Sequence, residues 1–150
     1  YMIILNKDKP QKNEYIFLDD LEKIKSLNKE KIILTKSLWI EERELLKKKK
    51  IRTGILVNSD ESLDQIINDI CYFSLIQLNF LSFKDGRPFS VAKNLRKKFK
   101  FKNEIRASGH LLPDQYIFLI RCGFDTVEIE DKNIDVWIRF FKMDEGLYYQ

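Results

Sequence analysis

The chain has 150 residues and a mass of 18.0 kDa, a length that suits one domain able to bury roughly two thirds of its surface. Hydrophobic residues make up 44% and aromatic residues 13%, which excludes a disordered chain. Lysine and arginine outnumber aspartate and glutamate by 27 to 23, a net charge of +4 too mild to point to nucleic acid, and no apolar run reaches the roughly 18 residues of a membrane helix.

Met2–Leu5 and Tyr15–Leu18 are short apolar runs separated by a polar stretch with Pro10, which predicts two strands, possible partners in a hairpin, as an N-terminal appendage over residues 1–20. Residues 20–30 are charged and fit either a loop or a short surface helix. Lys31–Leu34 reads as a strand, and Ser37 caps a helix that runs through Leu38, Leu45 and Leu46 to the lysines at 47–50, where cations suit the helix dipole. Thr53–Val57 is the next strand. Asp60 then opens a predicted helix with Leu63, Ile66, Ile67 and Ile70 on one face.

A third strand covers Phe73–Phe80, followed by a helix from Pro88 to Phe99 with Val91, Ala92, Leu95 and Phe99 inward. A fourth covers Glu104–Ala107. Pro113 opens a helix that ends at Cys122 with Gly123 beyond it, and its nearly all-round apolar character predicts burial. Thr126–Ile129 is the fifth strand, and Ile134, Trp137, Ile138 and Phe141 mark the last helix. The alternation over residues 31–150 predicts one α/β domain. Its mainly parallel, five-stranded sheet is flanked by helices on both faces, with a partial (β/α) barrel as the alternative.

Right-handed crossovers bring the loops after the third and fourth strands to one carboxyl edge, where such sheets bind ligands. The first loop carries Lys84, Asp85, Gly86, Arg87 and Ser90. The second carries Arg106, Ser108, Gly109, His110, Asp114 and Gln115. Each ends at a proline-initiated helix, so cations and free helix N–H groups suit a small anion. Arg87 and Arg106 are the expected clamps, oriented by Asp85 and Asp114. The opposing expectation is that Asp85 caps its helix and the charges form separate surface pairs. His110 is the only histidine and therefore the natural proton-transfer candidate.

The segment NFLSFKDGRPFSVAKNLR at 79–96, with RASG at 106–109, DQ at 114–115 and RCGFD at 121–125, resembles the central motifs of a bacterial family of unknown function, domain-of-unknown-function family 934. That resemblance implies an accessory or redox-associated role in assimilatory sulfite reduction, with sulfite reductase as a partner, or a non-catalytic module that docks onto a reductase. It supplies no catalytic residue and no cofactor. Asn79, Leu81, Ser82, Pro88, His110 and Pro113 depart from the family pattern, and Asn79 stands where an acidic residue is common.

Cys71 and Cys122 are the only cysteines, and with the single histidine they cannot complete a zinc site unaided. Cys71 reads as core. Free thiols and an opening that places apolar residues before charges, the reverse of a secretory signal, lead to the expectation of a cytoplasmic protein. No glycine-rich dinucleotide or phosphate-loop string occurs. The run from Lys93 to Lys102 reads as a helix's outer face and last turn, not as a nucleic-acid surface.

Overall fold

The computed structural model describes residues 1–20, 22, 31–49 and 51–148, with side chains through residue 143. The predicted loop or helix at 20–30 lies almost entirely outside the described residues. In chain order the elements are β1 (Met2–Asn6), β2 (Lys9–Gln11), β3 (Ile16–Leu18), β4 (Ile32–Thr35), α1 (Lys36–Lys49), β5 (Thr53–Asn58) and β6 (Phe73–Phe80). Then come α2 (Arg87–Lys97), β7 (Glu104–Gly109), α3 (Tyr116–Cys122), β8 (Thr126–Glu130) and α4 (Ile134–Tyr148).

The strands form one eight-stranded sheet in the order β2-β1-β8-β7-β6-β5-β4-β3. From β3 to β8 every neighbouring pair is parallel, while β1 runs antiparallel to both β2 and β8. The two N-terminal runs do not pair with each other: β1 takes a hairpin partner from Lys9–Gln11, and β3 joins the far edge beside β4.

This placement fixes the shape. Seven strand spacings of about 4.8 Å would put β2 and β3 about 34 Å apart on a flat sheet. Yet Gln11 and Ile16 are five positions apart, a reach of about 18 Å at most. The sheet must curl until its edges approach, which makes the architecture a half-barrel. Because the parallel order never reverses, right-handed crossovers send every helix to the same side. Trp39 of α1, Ala92 and Leu95 of α2, Leu119 of α3 and Trp137 of α4 share one core with Leu34, Ile55, Ile76, Ile105 and Val127. Ile4, Ile33 and Leu75, on the opposite face, are buried but lie outside that cluster. The expectation of helices on both faces is therefore corrected: among the described residues they cover the convex face only.

Four local expectations also change. Residues 60–66 form turns, and Ile67–Tyr72 is a 3₁₀ helix rather than part of an α-helix. The cause is visible in i,i+3 bonds from Ile66 N–H to Leu63 O and from Asp69 N–H to Ile66 O, which bury Ile66 and Asp69 three residues apart. Cys71 is exposed in consequence. Helix α2 stops at Lys97, so Phe99 is exposed and Phe101 takes the core position. Pro113 opens a 3₁₀ turn, Pro113–Gln115, before α3, which buries Tyr116, Leu119 and Cys122 but leaves Phe118 48% exposed. At its end Gly123 has a φ of 115°, and Phe124 N–H returns to Leu119 O.

Candidate functional site at the carboxyl edge

Strand β7 runs two residues past the predicted Ala107, so Ser108 and Gly109 join Arg106 within it instead of standing in the loop that follows; Arg106 and Ser108 are the inward pair. Both point to the concave face, at the register of Gln77 and Asn79 on β6. Parallel pairing puts Leu56, Gln77, Arg106 and Thr126 in one row across this face, and Asn58, Asn79 and Ser108 in the next row towards the carboxyl edge. Along β8, Glu128 follows Thr126 by two and faces the same way.

The lower row is closed. Arg106 is 3% exposed and donates to Asn13 Oδ1 at 3.2 Å, Gln77 Oε1 at 3.4 Å and Glu104 Oε2 at 3.2 Å. Glu104 also receives the Thr126 hydroxyl at 2.7 Å. The Tyr15 ring covers the guanidinium at 5.5 Å, and its hydroxyl meets Ser74 Oγ at 2.7 Å. The chain between β2 and β3 thus crosses the concave face as a strap over the amino half of the sheet.

The upper row has no strap residue bonded to it, although Ser108 is 2% exposed. Ser108 Oγ donates to Asn79 Oδ1 at 3.0 Å, and Asn79 Nδ2 donates to Asn58 Oδ1 at 2.9 Å, a relay across three strands. Gly109, with a φ of 91°, closes against β6: a Cβ there would lie 2.4 Å from Phe80 O and 2.6 Å from Asn79 Oδ1. His110 N–H bonds Phe80 O at 2.9 Å, and its Nδ1 lies 3.3 Å from the same oxygen. An acceptor carbonyl calls for the proton on Nδ1, which leaves Nε2 free to accept. The imidazole stands perpendicular to Phe83 at 4.9 Å.

Phe83, Gly109, His110, Glu128 and Glu130 border a depression of about 420 Å³ at this edge. Burial pushes the Glu128 carboxyl up from its ordinary range, and the Arg106 charge offsets part of that rise. Glu130 pairs with Lys132 at 3.1 Å.

The two arginines predicted as a joint clamp share no partner. Arg87 is held by Asp85 through Nε at 2.9 Å and Nη2 at 2.8 Å, while Arg106 is sealed under Tyr15. Asp85 also accepts the Arg87 backbone N–H at 3.1 Å in a local turn, while Gly86 holds the N-cap position of α2. The Arg87 bond, then Ser59, holds the Asp85 carboxyl far below the usual range. Lys84, Gly86, Ser90 and Asp114 are exposed, and Gln115 folds back to accept Leu112 N–H at 3.1 Å. Of the predicted residues, Gly109 and His110 border the depression, with Ser108 on the strand that leads to it.

Residues 54–150 match the family described as "Bacterial protein of unknown function (DUF934)". The chain belongs to DUF934. The matched DUF934 region begins in β5 and contains the relay, His110 and Glu128, whereas Asn13 and Tyr15 lie outside it. No curated protein matches the chain, and no solved structure does.

Sequence reasoning missed Asn58 and Glu128. The signal was present in the alternation of Thr126, Glu128 and Glu130 with Val127 and Ile129, and of Gln77 and Asn79 with Ile76, Leu78 and Phe80. A parallel strand covered by helices on both faces has little room for such polar residues, so the pattern marks a face no helix covers.

Proposed function

We propose that this DUF934 protein is an accessory, redox-associated protein of assimilatory sulfite reduction, and that it holds a small oxyanion at the carboxyl edge of its half-barrel. The observation that carries the ligand is the depression at the carboxyl edge, bordered by Glu128 and His110 next to the Asn58–Asn79–Ser108 relay. Glu128, raised by burial, donates a hydrogen bond to an oxyanion when protonated and repels it when ionised. His110 is a second polar side chain at the border of the depression. The pathway rests on the similarity of residues 79–125 to family members linked to sulfite reduction.

A second reading, a module that docks onto sulfite reductase, draws on the exposed Leu81, Phe83 and Leu112 in the loops of the same edge. Sulfite reduction by the host's reductase, assayed with and without this protein, separates the two. With an oxyanion site, Glu128→Gln and His110→Ala reduce the added turnover while association persists. With a docking module, Phe83→Ser and Leu112→Ser abolish association and the first two variants change nothing. A reductase indifferent to this protein, together with normal growth of a deletion strain on sulfate as sole sulfur source, would overturn the pathway.

A further inference from the structure

A depression of about 960 Å³ lies at the opposite, amino edge of β7 and β8. Its borders carry Lys7, Lys100 and Lys102, and none of their ammonium groups has a carboxylate partner among the described residues. The two acids there are already engaged. Asp125 accepts from Arg96 at 2.6 Å and from Ile105 N–H at 3.0 Å, and Glu104 holds Thr126 and Arg106. Arg96 also takes up the carbonyls of Phe101 and Asn103 at 2.8 Å each and Gly123 O at 2.8 Å. Against these two carboxylates the borders carry four cationic side chains, Lys7, Arg96, Lys100 and Lys102, so the balance left for a ligand is positive.

A second, independent observation concerns the backbone. Among the described residues the only non-glycine positions in the left-handed region are Lys7, with a φ of 56°, and Lys100, with a φ of 57°. Each occupies a place where glycine is usual. Lys7 is the first residue of the two-residue turn between β1 and β2, and Lys100 sits where Phe101 N–H returns to Leu95 O at the end of α2. Such positions are strained for a side-chain-bearing residue. Both strained residues are lysines, and both border the same depression.

Their backbones are fixed as well. The buried Tyr116 hydroxyl donates to Lys7 O at 2.7 Å, and Arg96 clamps the residues that flank Lys102. With the backbone already fixed, only the exposed lysine side chains remain to be ordered on binding. Three separated ammonium groups suit a ligand with several charged oxygens. Phe101 and Phe124 are buried beneath the depression, so no exposed ring there offers to stack a base.

We propose that the amino-edge depression is a binding site for a compact polyphosphoryl anion, held by Lys7, Lys100 and Lys102. Inorganic pyrophosphate is the probe, titrated calorimetrically and by thermal shift against sodium chloride of equal ionic strength. The intact chain should bind it saturably at one site. In the double variant Lys7→Gly with Lys100→Gly, glycine relieves both strained positions, so the protein folds at least as stably while affinity falls tenfold or more. Lys102→Gln should weaken binding several-fold. Lys142→Gln, on the exposed side of α4, and Glu128→Gln, at the other edge, should leave it unchanged. No saturable binding, an undiminished affinity in the glycine variant, or a loss caused by Glu128→Gln would each overturn the proposal.

Discussion

At Gly109 a single missing Cβ decides how closely β7 can approach the end of β6. Alanine there meets Phe80 O and Asn79 Oδ1 well inside contact distance, on a backbone already left-handed. We expect Gly109→Ala to destabilise the fold by about 2–4 kcal/mol in urea denaturation, with the Asn79–Ser108 bond displaced. Glu128 makes the opposite prediction. Its folded-state pKa is raised, so ionising it opposes folding, and that opposition grows as pH rises from the ordinary glutamate value through the raised one. Glu128→Gln should therefore melt higher than the parent at pH 7, with the difference vanishing below about pH 4. Melting curves of both proteins from pH 4 to pH 8 check the sign.

The 3₁₀ segment before β6 shows how one element is held by another. Asp69 is 5% exposed and accepts Trp39 Nε1 at 2.9 Å, Arg43 at 3.0 Å and Lys47 at 2.9 Å, all from α1. Burial opposes its ionisation, but the hydrogen bonds from Lys47 and Trp39 and the two cations outweigh it and lower its pKa. The stability it contributes is present above the unfolded aspartate pKa and is lost as pH falls through the lowered one. Asp69→Asn should cost about 1–3 kcal/mol at pH 7 and progressively less in acid, as chemical denaturation at several pH values will show. Nothing in the local sequence announced this, because Leu63, Ile66, Ile67 and Ile70 follow the α-helical spacing, whereas the period of three passes through the polar Asp69. Strands β4 to β8 and helices α1 to α3 were legible because their apolar runs are flanked by Pro, Gly and capping residues. The site was half legible. Ser108, Gly109 and His110 were marked by their neighbours, while Asn58 and Glu128 depend on which face of the sheet lacks helices, a property of strand order that no local window contains.

For the whole molecule, the curl and the strap are one fact. Residues between β2 and β3 can join opposite edges only across the hollow, and Tyr15 and Asn13 then seal Arg106 from water. Tyr15 also lies against Gly54, whose Cβ would sit 3.3 Å from its ring. Tyr15→Ala removes the ring over the cation and the bond to Ser74, and should destabilise by about 1–3 kcal/mol. Tyr15→Phe should lose only the hydroxyl's share, about 1 kcal/mol. Equal losses would show that the strap acts through Ser74 alone.

The pairing of β1 with β8 has a consequence in time. Met2 lies opposite Glu130, so β1 must wait for a partner strand that is made long after it. Strands β4 to β7 add to one another in the order of synthesis, each beside its predecessor. Until β8 arrives, the N-terminal hairpin has only itself to pair with, and an isolated two-stranded hairpin is marginal in water. Closure across this long sequence separation, rather than the assembly of any βα unit, should set the pace at which the chain reaches its native state.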